Sequence, residues 1–257
     1  SSPKRLEGLI EEGCYTIEDV PEEFELTEYQ RNHVNVEQTK QSIIDSIEIK
    51  QKLGELSYPL YFLDYETFPT AIPVYDGCTP YQQVPFQFSL HILREPNGEL
   101  EHYEFLHTDP EINPMIPLAE ALRELIGEQG SVIVWNKKFE GKCHEDLAEL
   151  LPEHAEIFHG YNNRFFDLMD IFSQHDYVDA DFRGKFSIKA VLPVLVPELS
   201  YKNLNISDGS MAMNSWKRMM FEMESQQDKD QVQQDLLKYC ELDTLAMVKI
   251  FEVLKKL

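Results

Sequence analysis

The chain has 257 residues, 42% of them apolar, with 15 Phe and 12 Tyr, enough for one large domain or a domain plus an appendage. No apolar run approaches the roughly 18 residues of a membrane span, and no apolar h-region opens the chain, so neither a membrane anchor nor a secretory signal is expected. A net charge of −23 favours solubility and opposes general adhesion to nucleic acid.

The opening "SSPKRLEG" reads as beginning with a cloning remnant. Residues 1–57 read as an acidic helical arm, or the remnant of a preceding domain. "LEGLIEEG" is a short helix closed by Gly13, "TIEDVPEEF" a connector, and "VEQTKQSIIDSIEIKQKLGEL" one longer amphipathic helix with Ile43, Ile44, Ile47 and Leu53 near helical spacing. From residue 58 the pattern changes. "YPLYFLDYE", "VPFQFSLHIL" and "ELEHYEFLH" read as strands, the last two joined through Asn97-Gly98 as a hairpin. "MIPLAEALRELIGEQG" predicts a helix ended by Gly127 or Gly130, "SVIVWN" a buried strand, and "KKFEGKCHEDLAELLP" a helix stopped by Pro152. "RFFDLMDIF" reads as a short strand turning into a helix. "SIKAVLPVLVP" is a short helix with Ser187 as N-cap. The Met-rich "SMAMNSWKRMMFEME" reads as a helix packing on the core, or as an adaptable surface. "ESQQDKDQVQQD" is a solvated loop or helix start, and the chain closes on a long amphipathic helix or helix pair. Such an order belongs to the α/β class. The four cysteines (Cys14, Cys78, Cys143, Cys240) lie far apart with no CxxC pair, which argues against a disulfide framework or local zinc site and fits a reducing cytoplasm.

The chemistry concentrates in "YFLDYETFP". Side chains at i and i+2 of a strand share a face, so Asp64 and Glu66 converge at the strand's end. Two acids there need solvent or a neutralising partner, and a divalent cation with oxygen ligands is one. An exposed strand end explains a lone DxE equally well. In "WNKKFEGKCHEDL" a buried strand ends at Asn136, and Glu140 falls in the first turn of the next helix, as a ligand or as a complement to the helix dipole. His144 shares that face, as a supporting or surface residue. In "LLKYCELDTLAM", Tyr239 and Asp243 share one face of a largely apolar helix.

Taken in order, "LDYETF", "NKKFE", "FDLMDIF", "SIKAVLPVLVPELSY" and "YCELDTLAM" resemble the DEDD exonucleases of the RNase H-like superfamily. They are most similar to an uncharacterised bacterial family of such domains often joined to RecB-like nuclease modules. The resemblance covers residues 58–257 and implies an RNase H-like mixed five-stranded sheet flanked by helices. It implies a 3′–5′ exonuclease using two divalent cations, Mg²⁺ or Mn²⁺, held by Asp64, Glu66, Glu140 and Asp243. Tyr239 would orient the attacking water, as in the Tyr branch; the position one earlier, His in the other branch, is Lys238 here. The second motif usually ends in Asp rather than Glu140. Asp167 is therefore added as a supporting acid, and Asp170 lies near it. The expected substrate is DNA or RNA with a free 3′ end, single-stranded, contacted by Asn136, Lys185, Lys189 and Tyr201.

The net charge stands against this reading, because phosphate contacts come from Lys and Arg. From Arg183 to Arg218, however, six basic residues face two acids. Lys137, Lys138 and Lys142 flank Glu140. Trp135, Phe186, Tyr201 and Trp216 could stack bases, or could be ordinary core aromatics. The alternative is a non-catalytic nucleic-acid-binding or scaffolding module of a larger RecB-like nuclease; a third is an acidic protein whose carboxylates hold a structural cation.

Overall fold

A computed structural model describes residues 3–257. The cloning-remnant reading falls partly on residues 1–2, outside the described residues. In chain order the elements are α1 (Pro3–Glu11), α2 (Glu28–Thr39), β1 (Ile43–Ile44), α3 (Ser46–Gly54), β2 (Leu60–Phe68), β3 (Val84–Leu93), β4 (Leu100–Leu106), α4 (Met115–Arg123), β5 (Ser131–Val134) and α5 (Lys137–Leu150). There follow α6 (Ala155–Asn162), β6 (Phe165–Asp167), α7 (Asp170–Ser173), β7 (Tyr177–Val178), α8 (Ile188–Leu195), α9 (Gly209–Phe221) and α10 (Gln226–Leu254). Among the described residues no helix is long and apolar enough to cross a membrane.

The main sheet has five strands in the order β4-β3-β2-β5-β6. β2, β3 and β4 form an antiparallel meander, while β5 and β6 run parallel to β2. The hairpin falls at Asn97, which takes the left-handed conformation (φ +62°) that Asn tolerates better than most residues. β2 and β3 are buried almost throughout, and among the apolar residues of β3 the buried Gln87, Ser89 and His91 bond to α10. α10 covers one face: Phe62 meets Phe251 edge-on at 5.7 Å. Tyr65, on the opposite face, meets α5 through a 2.8 Å hydrogen bond between its hydroxyl and His144 Nε2. α9 closes one end, with fully buried Trp216 stacked on Phe86 at 4.4 Å and donating to the His107 carbonyl.

Two elements depart from the sequence expectation, and a third decides between its alternatives. Residues 36–56 are not one helix. Thr27 and Gln30 cap α2 reciprocally, and Lys40 turns left-handed (φ +53°) to end it. Asp45 then accepts from the Ile47 and Glu48 amides to start α3. Between them Ile43 and Ile44 pair with Val178 and Tyr177, a long-range ladder that overrides the helical period. α4 stops at Arg123, short of either glycine. Gly130 serves the next strand instead: at φ +94°, a Cβ there would lie 2.1 Å from the Pro59 carbonyl oxygen. The last helix is single and begins at Gln226, capped by Ser225, so residues 226–235 are helical.

The N-terminal segment is docked on the rest of the chain. Ile49 is fully buried in the main core. Tyr29 stacks on His175 at 3.7 Å, with Phe186 edge-on to Tyr29.

Candidate functional site

β2 and β5 are parallel neighbours, so their C-terminal ends open at the same sheet edge, where α/β folds place ligands. Asp64 and Glu66 project from that end of β2 onto the face covered by α10. Their ladder partners are Ser89 and Gln87, and the Gln87 amide donates to the Leu236 carbonyl of α10 at 2.9 Å. α10 presents Tyr239 and Asp243 to the same space, and the first turn of α5 contributes Glu140. Together with Lys189 these residues line a cleft of about 460 Å³. Asn136 stands at its exposed lip in the N-cap position of α5, without capping the helix through its side chain.

Electrostatics shows how poorly the acids are matched. Burial raises Asp64 well above the usual carboxylate range, and Asp243, Glu66 and Glu140 add to the shift; Lys189 alone pulls it down. Glu66 is raised likewise, by burial and then by Asp243. Burial pushes Glu140 up to about 8, with Asp167 contributing. Asp243 rises to about 6 through burial, although Tyr201 and Lys189 favour its ionised form. Glu140 Oε2 is buried with no hydrogen-bond partner among the described residues. A group of acids this short of donors must take protons or cations. Oxygen donors of this kind suit a hard divalent ion, so the residues present fit Mg²⁺ or Mn²⁺.

Tyr239 is buried, and Lys189 Nζ donates to its hydroxyl oxygen at 2.9 Å. Its own proton is left to point elsewhere. Burial, then Asp243, raises the phenol far above its ordinary value, so Tyr239 keeps that proton at any neutral pH.

Residues 61–187 match the family described as a domain of unknown function (DUF2779). The matched stretch carries Asp64, Glu66 and Glu140; Lys189, Tyr239 and Asp243 lie beyond it. The chain is 26% identical to "Uncharacterized protein UU173" of Ureaplasma parvum over 89% of its own length and 34% of the relative's. It is 26% identical to "Uncharacterized protein MG366" of Mycoplasma genitalium, and 28% to the homolog of that protein in Mycoplasma pneumoniae, each over 78% of this chain and 32% of the relative. The chain thus spans about a third of the length of the curated relatives it matches. No solved structure matches it.

Within and around the matched stretch, other residues fall differently from the sequence reading. Asp167 does not line the cleft: from the end of β6 it accepts from the Lys137 amide (2.9 Å) and the Met169 amide (3.2 Å), doing for α5 the capping that Asn136 does not. Tyr201 is no stacking platform. It is buried, and its hydroxyl donates to Asp243 Oδ1 at 2.5 Å, fixing that carboxylate. His144 is fully buried rather than at the surface, and holds Tyr65 between the two β2 acids. Two of the lysines around Glu140 are engaged elsewhere, Lys137 with Asp170 (2.8 Å) and Lys142 with Asp146 (2.7 Å). Lys185 and Arg183 line a second depression of about 620 Å³ that shares Ser187 and Lys189 with the acidic cleft. Trp135 edges the cleft with its indole N–H held by the Phe186 carbonyl at 3.0 Å, whereas Trp216 belongs to the core.

Sequence reasoning missed Cys240 and the start of α9. The Cys240 thiol sits 4.0 Å from Asp64 Oδ2, and burial raises it well above its ordinary range, so it is a neutral neighbour of the acids. Its position three residues before Asp243 on one helix was the available signal. Gly209 faces the Glu66 carboxylate, where a Cβ would lie 3.8 Å from Oε2. Nothing in the spacing of "SDGSMAM" announces that contact.

Proposed function

We propose that the chain carries an RNase H-like, metal-dependent 3′–5′ exonuclease domain acting on single-stranded ends of DNA or RNA. The observation that carries the reading is the meeting of four carboxyls from β2, α5 and α10 in one cleft, with a buried Glu140 oxygen that has no donor among the described residues. Asp64, Glu66, Glu140 and Asp243 would hold two divalent cations, which when bound supply an activated water and stabilise the leaving oxygen. Tyr201 holds Asp243 in place. Tyr239 donates its retained proton to the attacking water and so orients it rather than deprotonating it. Lys189 fixes Tyr239 from the other side. The water oxygen bonds to the terminal phosphorus, and the bond to the preceding 3′ oxygen breaks. The attacking water gives up a proton to solvent and that oxygen takes one from solvent, leaving a nucleoside 5′-monophosphate and a strand one residue shorter. Arg183 and Lys185, lining the depression that adjoins the cleft, would hold the phosphates upstream of that bond.

A second reading, a binding or scaffolding module, draws on the net charge of −23 and on the lysines near Glu140 being tied to other acids. Incubation of 5′-labelled single-stranded DNA and RNA with Mg²⁺, Mn²⁺ or EDTA separates the two. A ladder shortening from the 3′ end, lost in EDTA and in Asp64→Asn, is expected. Retarded but intact strands in every condition would leave only the binding module.

A further inference from the structure

We propose that His91, His102 and Glu241 form a second metal site, for a borderline transition-metal ion of the zinc class, at the seam between β3, β4 and α10. A nitrogen of each imidazole and an oxygen of Glu241 lie within 4.8 Å of one another. His91 and His102 are direct ladder partners, with rings stacked at 4.5 Å, and His102 Nδ1 is 3.9 Å from Glu241 Oε1. Two donors on one Zn²⁺ can be no more than about 4.2 Å apart, twice a bond of about 2.1 Å. The half-exposed Glu241 side chain can supply the remaining few tenths of an ångström by rotation.

The hydroxyls beneath the rings decide which nitrogens are left for an ion. Thr244 Oγ1 lies 3.1 Å from the Glu241 carbonyl, which can only accept, so Thr244 donates there. Its remaining contacts must then be donors. Ser89 Oγ gives its proton to Thr244 at 2.7 Å, and His91 Nδ1–H donates to the same oxygen at 2.8 Å. Ser89, its proton committed, accepts from His102 Nε2–H at 3.0 Å. This arrangement satisfies every contact, and it leaves His91 Nε2 and His102 Nδ1 as the ring nitrogens that the hydroxyls do not engage. His102 Nδ1 thus faces the Glu241 carboxylate at 3.9 Å, a pairing that a proton or a metal ion between them makes attractive. A ligating imidazole ordinarily donates its other N–H to a fixed acceptor, and Thr244 and Ser89 are those acceptors here. Two imidazoles and one carboxylate favour zinc-class ions over Mg²⁺, the reverse of the oxygen-rich cleft.

The test is Zn²⁺ bound per chain after dialysis of the whole protein in excess Mg²⁺, which occupies oxygen ligands and not imidazoles. One Zn²⁺ per chain is expected, with tetrahedral Co²⁺ absorption and no thiolate charge-transfer band on substitution. His102→Asn and Glu241→Gln should abolish it, Ser89→Ala should weaken it about 10–100-fold, and Cys240→Ser should leave it intact. Glu241 is on the helix surface, so its variant tests the site even if His102→Asn folds poorly. Zinc retained at parental affinity in Glu241→Gln, no zinc bound by the parent, or zinc lost in Cys240→Ser overturns the proposal. The last outcome would put the ion beside Asp64 instead.

Discussion

On one flank of α10, Tyr239, Cys240 and Asp243 face Asp64 and Glu66; on the other, Thr244 and Glu241 face Ser89, His91 and His102. α10 serves both, against β2 and α5 in the first and against β3 and β4 in the second. Yet the first flank concentrates charge with too few donors, so its carboxyls titrate high and Glu140 keeps an unpaired oxygen. On the second, neutral hydroxyls close a chain of hydrogen bonds that orients two rings. The difference teaches where free energy is held. An unmatched acidic cleft is destabilised until a cation or proton arrives, whereas the matched seam contributes to stability already and gains specificity from its fixed tautomers.

The strongest way to break that comparison is to neutralise the cleft. Asp64→Asn should abolish cation-dependent cleavage, yet stabilise the metal-free fold, because it removes one member of a like-charged group. Each kcal/mol relieved should raise Tm by about 2–4 °C for a chain of this size. A variant that loses both activity and stability would mean that Asp64 is held by partners and is not in repulsion. Ser89→Ala, by contrast, should lower Tm, since it opens the closed chain on the other flank.

Tyr239→Phe comes next. Removing the hydroxyl should lower turnover by roughly 10²-fold, the scale of a positioned catalytic group, while the metal-dependent rise in Tm survives. Tyr201→Phe should act through Asp243 and weaken metal binding as well. If the two variants behave alike, Tyr239 orients a carboxylate and not water.

The pH dependence follows from the raised acids. A carboxyl whose folded pKa lies above its unfolded value stabilises the fold fully below the unfolded pKa, and that stability is lost as pH rises through the folded one. With Asp243 near 6 and Glu140 near 8, metal-free Tm should fall between about pH 4.5 and 8. Cations compete with those protons, so the Tm increment from Mg²⁺ should grow over the same window. Melting curves with and without Mg²⁺ at pH 5.5 and 8.5 check both signs; an increment that shrinks with pH would place the cation elsewhere.

How much of this was written in the chain depends on how local each contact is. The meander, its Asn97 turn and the strand-to-helix junction at Asn136 follow from short-range pattern. The spacing of Asp64, Glu66, Tyr239 and Asp243 fixes shared faces before any tertiary structure is known. The break between α2 and α3 was hidden because Ile43–Ile44 owes its extended form to β7, more than 130 residues away. Tyr201 beneath Asp243 and Gly209 beside Glu66 likewise depend on where two helices land. The His91–His102 pair was within reach: counting back from Asn97-Gly98 pairs Leu93 with Leu100 and then His91 with His102. What the register could not supply is Glu241, which arrives from α10.

The smallest effect expected concerns the basic depression beside the cleft. Arg183 and Lys185 are exposed there, next to Lys189, which is tied to Tyr239. Replacing both with Ala should therefore leave metal binding and Tyr239 untouched. Each phosphate they neutralise contributes about 0.7 to the log–log salt slope on a single strand, so the double variant should flatten it by about 1.4. Binding should weaken alike for all sequences, because phosphate contacts carry no base information. Cleavage should slow at low substrate concentration and recover near saturation. Fluorescence anisotropy of a labelled oligonucleotide from 50 to 300 mM salt measures the slope directly. An unchanged slope would remove the depression from the substrate track and leave the strand held by the metal-loaded acids alone. In that case the cleft would bind no more than the last nucleotide or two, and cleavage by the parent chain would be insensitive to substrate length.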